Sequence, residues 1–190
     1  MAVVHRTTME PGKLELLARW LPAQPWWAGG QTPQLARAGG FRLDDPAGEV
    51  GIEFVFLTDS SGAESVTYCV PVGYRGAPLA GGELIGTSEH GVLGRRWVYD
   101  GAGDPVVLAA LRELAAGRTL AQDQDRSDTA DPSVMVVGHT GEDVQLVRVL
   151  GREPDSNGIV PDGIVHAGSV QAGWLLPDGT AVRGPVALIG

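Results

Sequence analysis

The chain of 190 residues contains one cysteine, Cys69, and one lysine, Lys13. A lone cysteine excludes an internal disulfide and a cysteine-rich zinc site, and its place in an alternating apolar run reads as a packed thiol, not a nucleophile. The lone lysine sits in Pro-Gly-Lys-Leu, which excludes a P-loop, where a lysine must close a glycine-rich turn to reach phosphates. Basic charge is scarce throughout. The net charge is −9, and without a basic run nothing displaces counterions from a nucleic acid. No apolar window approaches the ~20 residues that span a bilayer, and the chain does not open with a signal-type stretch, so no membrane contact and a cytoplasmic location are expected. GxGxxG after a strand, GxSxG, HExxH and paired CxxC are all missing. The histidines His5, His90, His139 and His166 are dispersed, so neither a metal nor a cofactor is expected.

What is present suits a folded α+β protein. Hydrophobic residues make up 43% and charged residues 19%, enough apolar surface to offset the entropy of ordering. The first eight residues read as a short strand or a tail. Leucines and Trp20 at helical spacing predict an amphipathic helix over 12–21, ended by Pro22. Period-two patterns predict strands at Leu35–Leu43, Val50–Thr58 and Ser65–Tyr74, half-buried on one side, with Pro71 marking an edge or a bulge. Leu84–Gly86 and Arg95–Tyr99 follow as strands around the loop TSEHGVLG. Asp104-Pro105 predicts a helix start with a stripe at Leu108, Leu111, Leu114 and Ala115 and an end at Gly117.

Residues 119–132 are polar, acidic and aperiodic, a linker or surface loop that divides an α+β domain at 1–118 from a smaller strand-rich antiparallel module at 133–190. Within that module Val134–Val137 and Val144–Leu150 are expected to form a hairpin around GHTGED, followed by strands at Ile159–His166, Ser169–Leu176 and Thr180–Arg183.

Unusual side chains concentrate between Glu83 and Asp104. Glu89-His90 pairs a carboxylate with an imidazole, but strand neighbours point to opposite sides, so surface contact outweighs catalysis. Arg95 and Arg96 suit an anion or nearby carboxylates. Trp97 and Tyr99 share a strand face ahead of Asp100, fit either to stack on a sugar ring or to fill a core. Trp26-Trp27 poses the same choice, one packed and the other exposed. These nine side chains are the ligand- or partner-binding candidates; no catalytic residue is assigned.

The blocks ARWLPAQPWWAGG at 18–30 and ELIGTSEHGVLGRRWVYDGAGDPVVLAALRELAAGR at 83–118 together resemble the N-terminal cap of maltokinases, actinobacterial enzymes that phosphorylate maltose in trehalose-to-glycogen metabolism. The resemblance implies a cystatin-like cap: a curved antiparallel sheet with two main helices. In that family the cap is fused to a kinase body similar to aminoglycoside phosphotransferases. Leu146–Pro154 is similar to the kinase strand carrying an ATP-contacting lysine, with Arg148 at that position; an arginine fork does not replace a compact ammonium there. The chain ends where a C-lobe would begin, so the catalytic-loop His-x-Asp and metal-binding aspartate are expected to be absent, and with them phosphoryl transfer. The resemblance implies a non-catalytic interaction or regulatory module, partnered by a protein of the α-glucan/trehalose pathway or by a maltooligosaccharide. The alternatives are a small carbohydrate- or phosphosugar-binding protein or enzyme using the 83–100 stretch, and a homodimer paired through 133–190.

Overall fold

The computed structural model describes residues 9–126, 128–151 and 166–190. The reading of residues 1–8, the strand expected at Ile159–His166 (all but its last residue) and Arg152–Pro154 of the kinase-like strand lie outside the described residues. The fold is mostly antiparallel sheet with two short helices, an α+β arrangement around a curved sheet.

Strand β1, Met9–Glu10, precedes helix α1, Lys13–Trp20. Leu16, Leu17 and Trp20 are its buried stripe. Beyond Trp20 the chain tightens into a 3₁₀ turn at Leu21–Ala23 with Pro22 inside it, because proline ends α-helical bonding without forbidding a shorter turn. Strands β2 (Leu35–Leu43), β3 (Val50–Asp59) and β4 (Val66–Arg75) form an antiparallel ladder. Strands β5 (Leu84–His90) and β6 (Gly94–Asp100) continue it, running deeper into the predicted TSEHGVLG loop than expected and leaving a short turn.

Helix α2 spans Pro105–Ala115. Asp104 accepts from the N–H groups of Val106 and Val107, and Gly117 ends the helix at φ +71°, both as Asp-Pro and Gly predict. The buried stripe is Val107, Ala110, Leu111, Leu114 and Ala115; Val107 and Ala110 replace the expected Leu108, since the helix is rotated to lay its first turn on β4. Gly73 makes that approach feasible, as a Cβ there would stand 2.7 Å from Asp104 Oδ2.

The C-terminal strands correct the hairpin expectation. Strand β7 (Met135–Gly138) pairs with β10 (Gly168–Leu175), and β8 (Val144–Leu146) pairs with β11 (Ala181–Ile189). The tight turn at Gly179, φ +85°, joins β10 and β11 into a long local ladder. That ladder lies between β7 and β8, so GHTGED crosses its end instead of turning a hairpin.

Trp174 of β10 pairs with Gly39 of β2, and β9 (Val149–Leu150), two residues after β8, pairs with β4 at Tyr68 and Thr67. The path β4–β3–β2–β10–β11–β8 therefore returns through β9 to β4 and closes a barrel-like ring. Strands from both sides of the 119–132 segment share this sheet and one core. The segment itself lies along β2, where Gln122 exchanges backbone hydrogen bonds with Arg42 and covers that edge.

Pro71 is neither at a sheet edge nor in a bulge. The β3–β4 register runs through Phe54↔Pro71 unbroken. On its other side β4 passes from β9, where Cys69 N–H donates to Arg148 O, to β6, which begins at Val72↔Asp100. Proline's missing donor falls at that changeover.

The half-buried expectation for β3 is also corrected: it is buried on both faces. Val50, Ile52, Phe54 and Phe56 point into the ring with Phe41, Leu111, Val170, Trp174 and Ile189. Phe41 and Phe54 stack at 4.5 Å. Cys69 is packed in this core, and burial pushes its thiol up to about 12. Val55 and Leu57 face the other way, against Leu16, Leu17, Trp20, Val70, Val72 and Val98 under α1. Burying each such aliphatic side chain contributes about 1.5–3 kcal/mol.

Candidate functional site

At the N-terminal end of α1, on the helix's side of the sheet, a cleft of about 440 Å³ opens between the β2–β3 and β5–β6 hairpins. Its floor follows from strand parity. Arg42 pairs across strands with Glu53, and Gly51, on the same face of β3, pairs with Tyr74. Gly51 has no side chain, so the Tyr74 ring crosses it and its hydroxyl donates to Glu53 Oε2 at 3.1 Å.

Glu53 is the hub. Lys13 Nζ donates to both its oxygens at 2.5 Å, and Gln124 Nε2 donates at 3.1 Å. The Tyr74 hydroxyl is held well above its ordinary range, by burial first and by the adjacent Glu53 charge second. Asp45 shapes the opposite rim, accepting from the N–H groups of Ala47, Glu49 and Val50 at 2.9–3.0 Å. At the β5–β6 turn, His90 Nδ1 accepts from Val92 and Leu93 N–H at 3.3 and 3.1 Å, which leaves the neutral imidazole proton on Nε2. Arg96 Nη2 donates to Leu93 O at 2.5 Å, while Arg96 Nε is shielded and has no acceptor among the described residues.

The structure divides the sequence candidates among three places. His90 and Arg96 line the cleft. Glu89 faces away and pairs with Arg95 at 2.7 Å, both exposed, so the Glu89-His90 neighbours do not converge. Trp97 and Tyr99 occupy the other face of β6. Trp97 is half-buried beside Arg75, and Tyr99 is buried with its hydroxyl accepting from Leu79 N–H at 2.9 Å.

Trp26, Trp27 and Asp100 belong to the far end of the α1 face. Both tryptophans are half-buried against Tyr68, at 5.8 and 4.9 Å, which corrects the expectation that one would be exposed. Trp27 stacks on the Tyr68 ring at 25° between planes, while Trp26 tilts against it at 48°. Arg148 lies 5.1 Å from the centre of the Trp26 ring and donates to Asp100 Oδ2 at 2.5 Å. At the position where the resemblance implies a nucleotide contact, this arginine ties β9 to β6.

Lys13, Arg42, Glu53 and Tyr74 were missed in the sequence. The one available signal was Glu53 itself, a carboxylate within VGIEFVF, where burial demands a partner. Among the described residues no group of three or more His, Cys, Asp or Glu is placed to hold a metal ion, and no helix is long and apolar enough to cross a membrane.

The class defined by this geometry is an α+β protein whose antiparallel sheet carries one helix on each face and leaves a polar cleft on one of them. The two motif blocks meet at the C-terminal end of α1, where Trp20 Nε1 donates to Glu83 Oε1 at 2.8 Å. Residues 20–104 match the family model of the maltokinase N-terminal cap domain, just under half of the chain. That stretch is similar to the cap domain. No curated protein and no solved structure matches the chain.

Proposed function

We propose that this protein is a non-catalytic interaction or regulatory module of the maltokinase-cap type, associated with α-glucan and trehalose metabolism through maltose 1-phosphate. The observation that carries the reading is the cap-domain similarity at 20–104. It is supported by the separation of Glu89 from His90, so that these two do not act as acid and base on one atom. Its partner is a protein of that pathway or a maltooligosaccharide. The test is capture of a purified maltokinase or another enzyme of the pathway on the immobilised chain, with calorimetry against maltooligosaccharides in parallel; failure of both removes the reading.

A second reading, a small carbohydrate- or phosphosugar-binding protein or enzyme using the 83–100 stretch, is favoured by His90 and Arg96 lining a cleft of about 440 Å³, within the ~300–1,000 Å³ of small-molecule sites. Turnover or binding that disappears in His90→Ala supports it. A homodimer paired through residues 133–190 is the remaining assembly, and light scattering that reports only monomer at high concentration removes it.

A further inference from the structure

We propose that His90 is a proton-operated latch: protonation of its imidazole releases the β5–β6 turn that forms one rim of the cleft. The latch is a property of the turn and does not depend on what occupies the cleft. His90 Nδ1 accepts from the N–H groups of Val92 and Leu93 at 3.3 and 3.1 Å, so the neutral ring holds both ends of the turn at one atom. Imidazole ordinarily takes up a proton near pH ~6.5, and an imidazolium has only donors. A proton on Nδ1 would face two N–H donors, so the ring has to leave them.

Nothing buried resists that movement, since residues 91–94 are all exposed. Leu93 O also anchors Arg96 Nη2, and His90, Leu93 and Arg96 line the same space, so a turn that shifts carries part of the lining with it. Nearby charges set the pH of the event and leave its outcome to the two N–H groups. By register Met9 and Gly94 flank His90 without charge, whereas Glu10, Glu89 and Arg95 fall on the opposite face of the sheet. Arg96 in the same hairpin, Lys13 of α1 and Arg42 of β2 oppose a further positive charge in the cleft; Asp44, Asp45, Glu49 and Glu53 favour it. The Tyr74 hydroxyl stays neutral throughout, because burial and the Glu53 charge hold its proton on.

The test is an NMR titration of the ¹³C,¹⁵N-labelled full chain from about pH 8 to about pH 5, at constant ionic strength, following the His90 ring together with the backbone amides. The expected result is that the Val92 and Leu93 amides and the Arg96 Nε–Hε signal move with the midpoint of the His90 ring, the two amides upfield toward water-exposed positions. In His90→Asn, whose side-chain oxygen accepts from the same N–H groups and does not titrate, these signals should keep their neutral-pH positions. Signals that stay in place while the wild-type ring titrates, or that move equally in His90→Asn, overturn the inference. Should His90→Asn fail to fold, the wild-type midpoints decide: a shared midpoint supports the latch, and turn amides that titrate apart from the ring overturn it.

Discussion

Asp104 and Glu53 are two carboxylates that each join a helix to the sheet, one on either face, and they are built differently. Asp104, at the mouth of the closed ring, is fully buried; Arg75 grips it through Nε at 2.7 Å and Nη2 at 2.6 Å while Val106 and Val107 N–H cap α2 on it. Glu53 gathers Lys13, Tyr74 and Gln124 at the edge of an open cleft, and its Lys13 partner keeps 32% side-chain exposure against 18% for Arg75. The ring face encloses apolar side chains and holds Asp104 as a helix cap paired with Arg75. The α1 face leaves its polar end in contact with water.

The largest expected effect is at Asp104. Asp104→Ala strands a mostly buried Arg75 and uncaps α2, for a loss of about 3–5 kcal/mol in urea denaturation. Burial alone would raise this carboxyl's pKa, but the Arg75 guanidinium and the Val106 N–H hold it below the usual range. Its stabilisation is therefore complete above the unfolded-state value and is lost as pH falls through the lower folded value. Acid unfolding of Asp104→Asn should lack that contribution to the pH slope.

Leu111→Ala, in the ring interior, should cost about 3 kcal/mol by leaving a cavity. Glu53→Gln should cost only about 1 kcal/mol, since Lys13 turns to solvent and the amide still accepts hydrogen bonds. A loss equal to that of Asp104→Ala would erase the contrast between the faces. Glu89→Gln removes an ion pair whose partners are 63% and 58% exposed and should change the unfolding free energy by less than ~0.5 kcal/mol.

Much of the sheet was legible. Alternation along Val50–Asp59 and Val66–Arg75 marks β3 and β4 nearly to their observed ends, because each strand pairs with its neighbour in sequence. Asp104-Pro105 announces α2 since a cap is a local hydrogen-bonding event. The candidate site was legible only in part. His90 and Arg96 stood out by residue type, but Glu53 meets Lys13 across forty residues and Arg148 meets Asp100 across forty-eight. No local pattern records such a meeting. GHTGED misled for the same reason: its turn residues carry a strong local signal, and the ladder that separates β7 from β8 comes later in the chain.

Local patterning by itself determined where strands β2 to β4 run, where β5 and β6 begin and end only in part, how α2 begins and ends, and the cap-like motif blocks, because these depend on φ/ψ preference, side-chain alternation and neighbouring hydrogen bonds. Tertiary structure alone decided that the C-terminal strands close a ring with β2 and β4, and that Arg96 joins Glu53, Lys13 and Tyr74 around one space. Those outcomes depend on which distant surfaces must be buried together and which buried charges must find a partner.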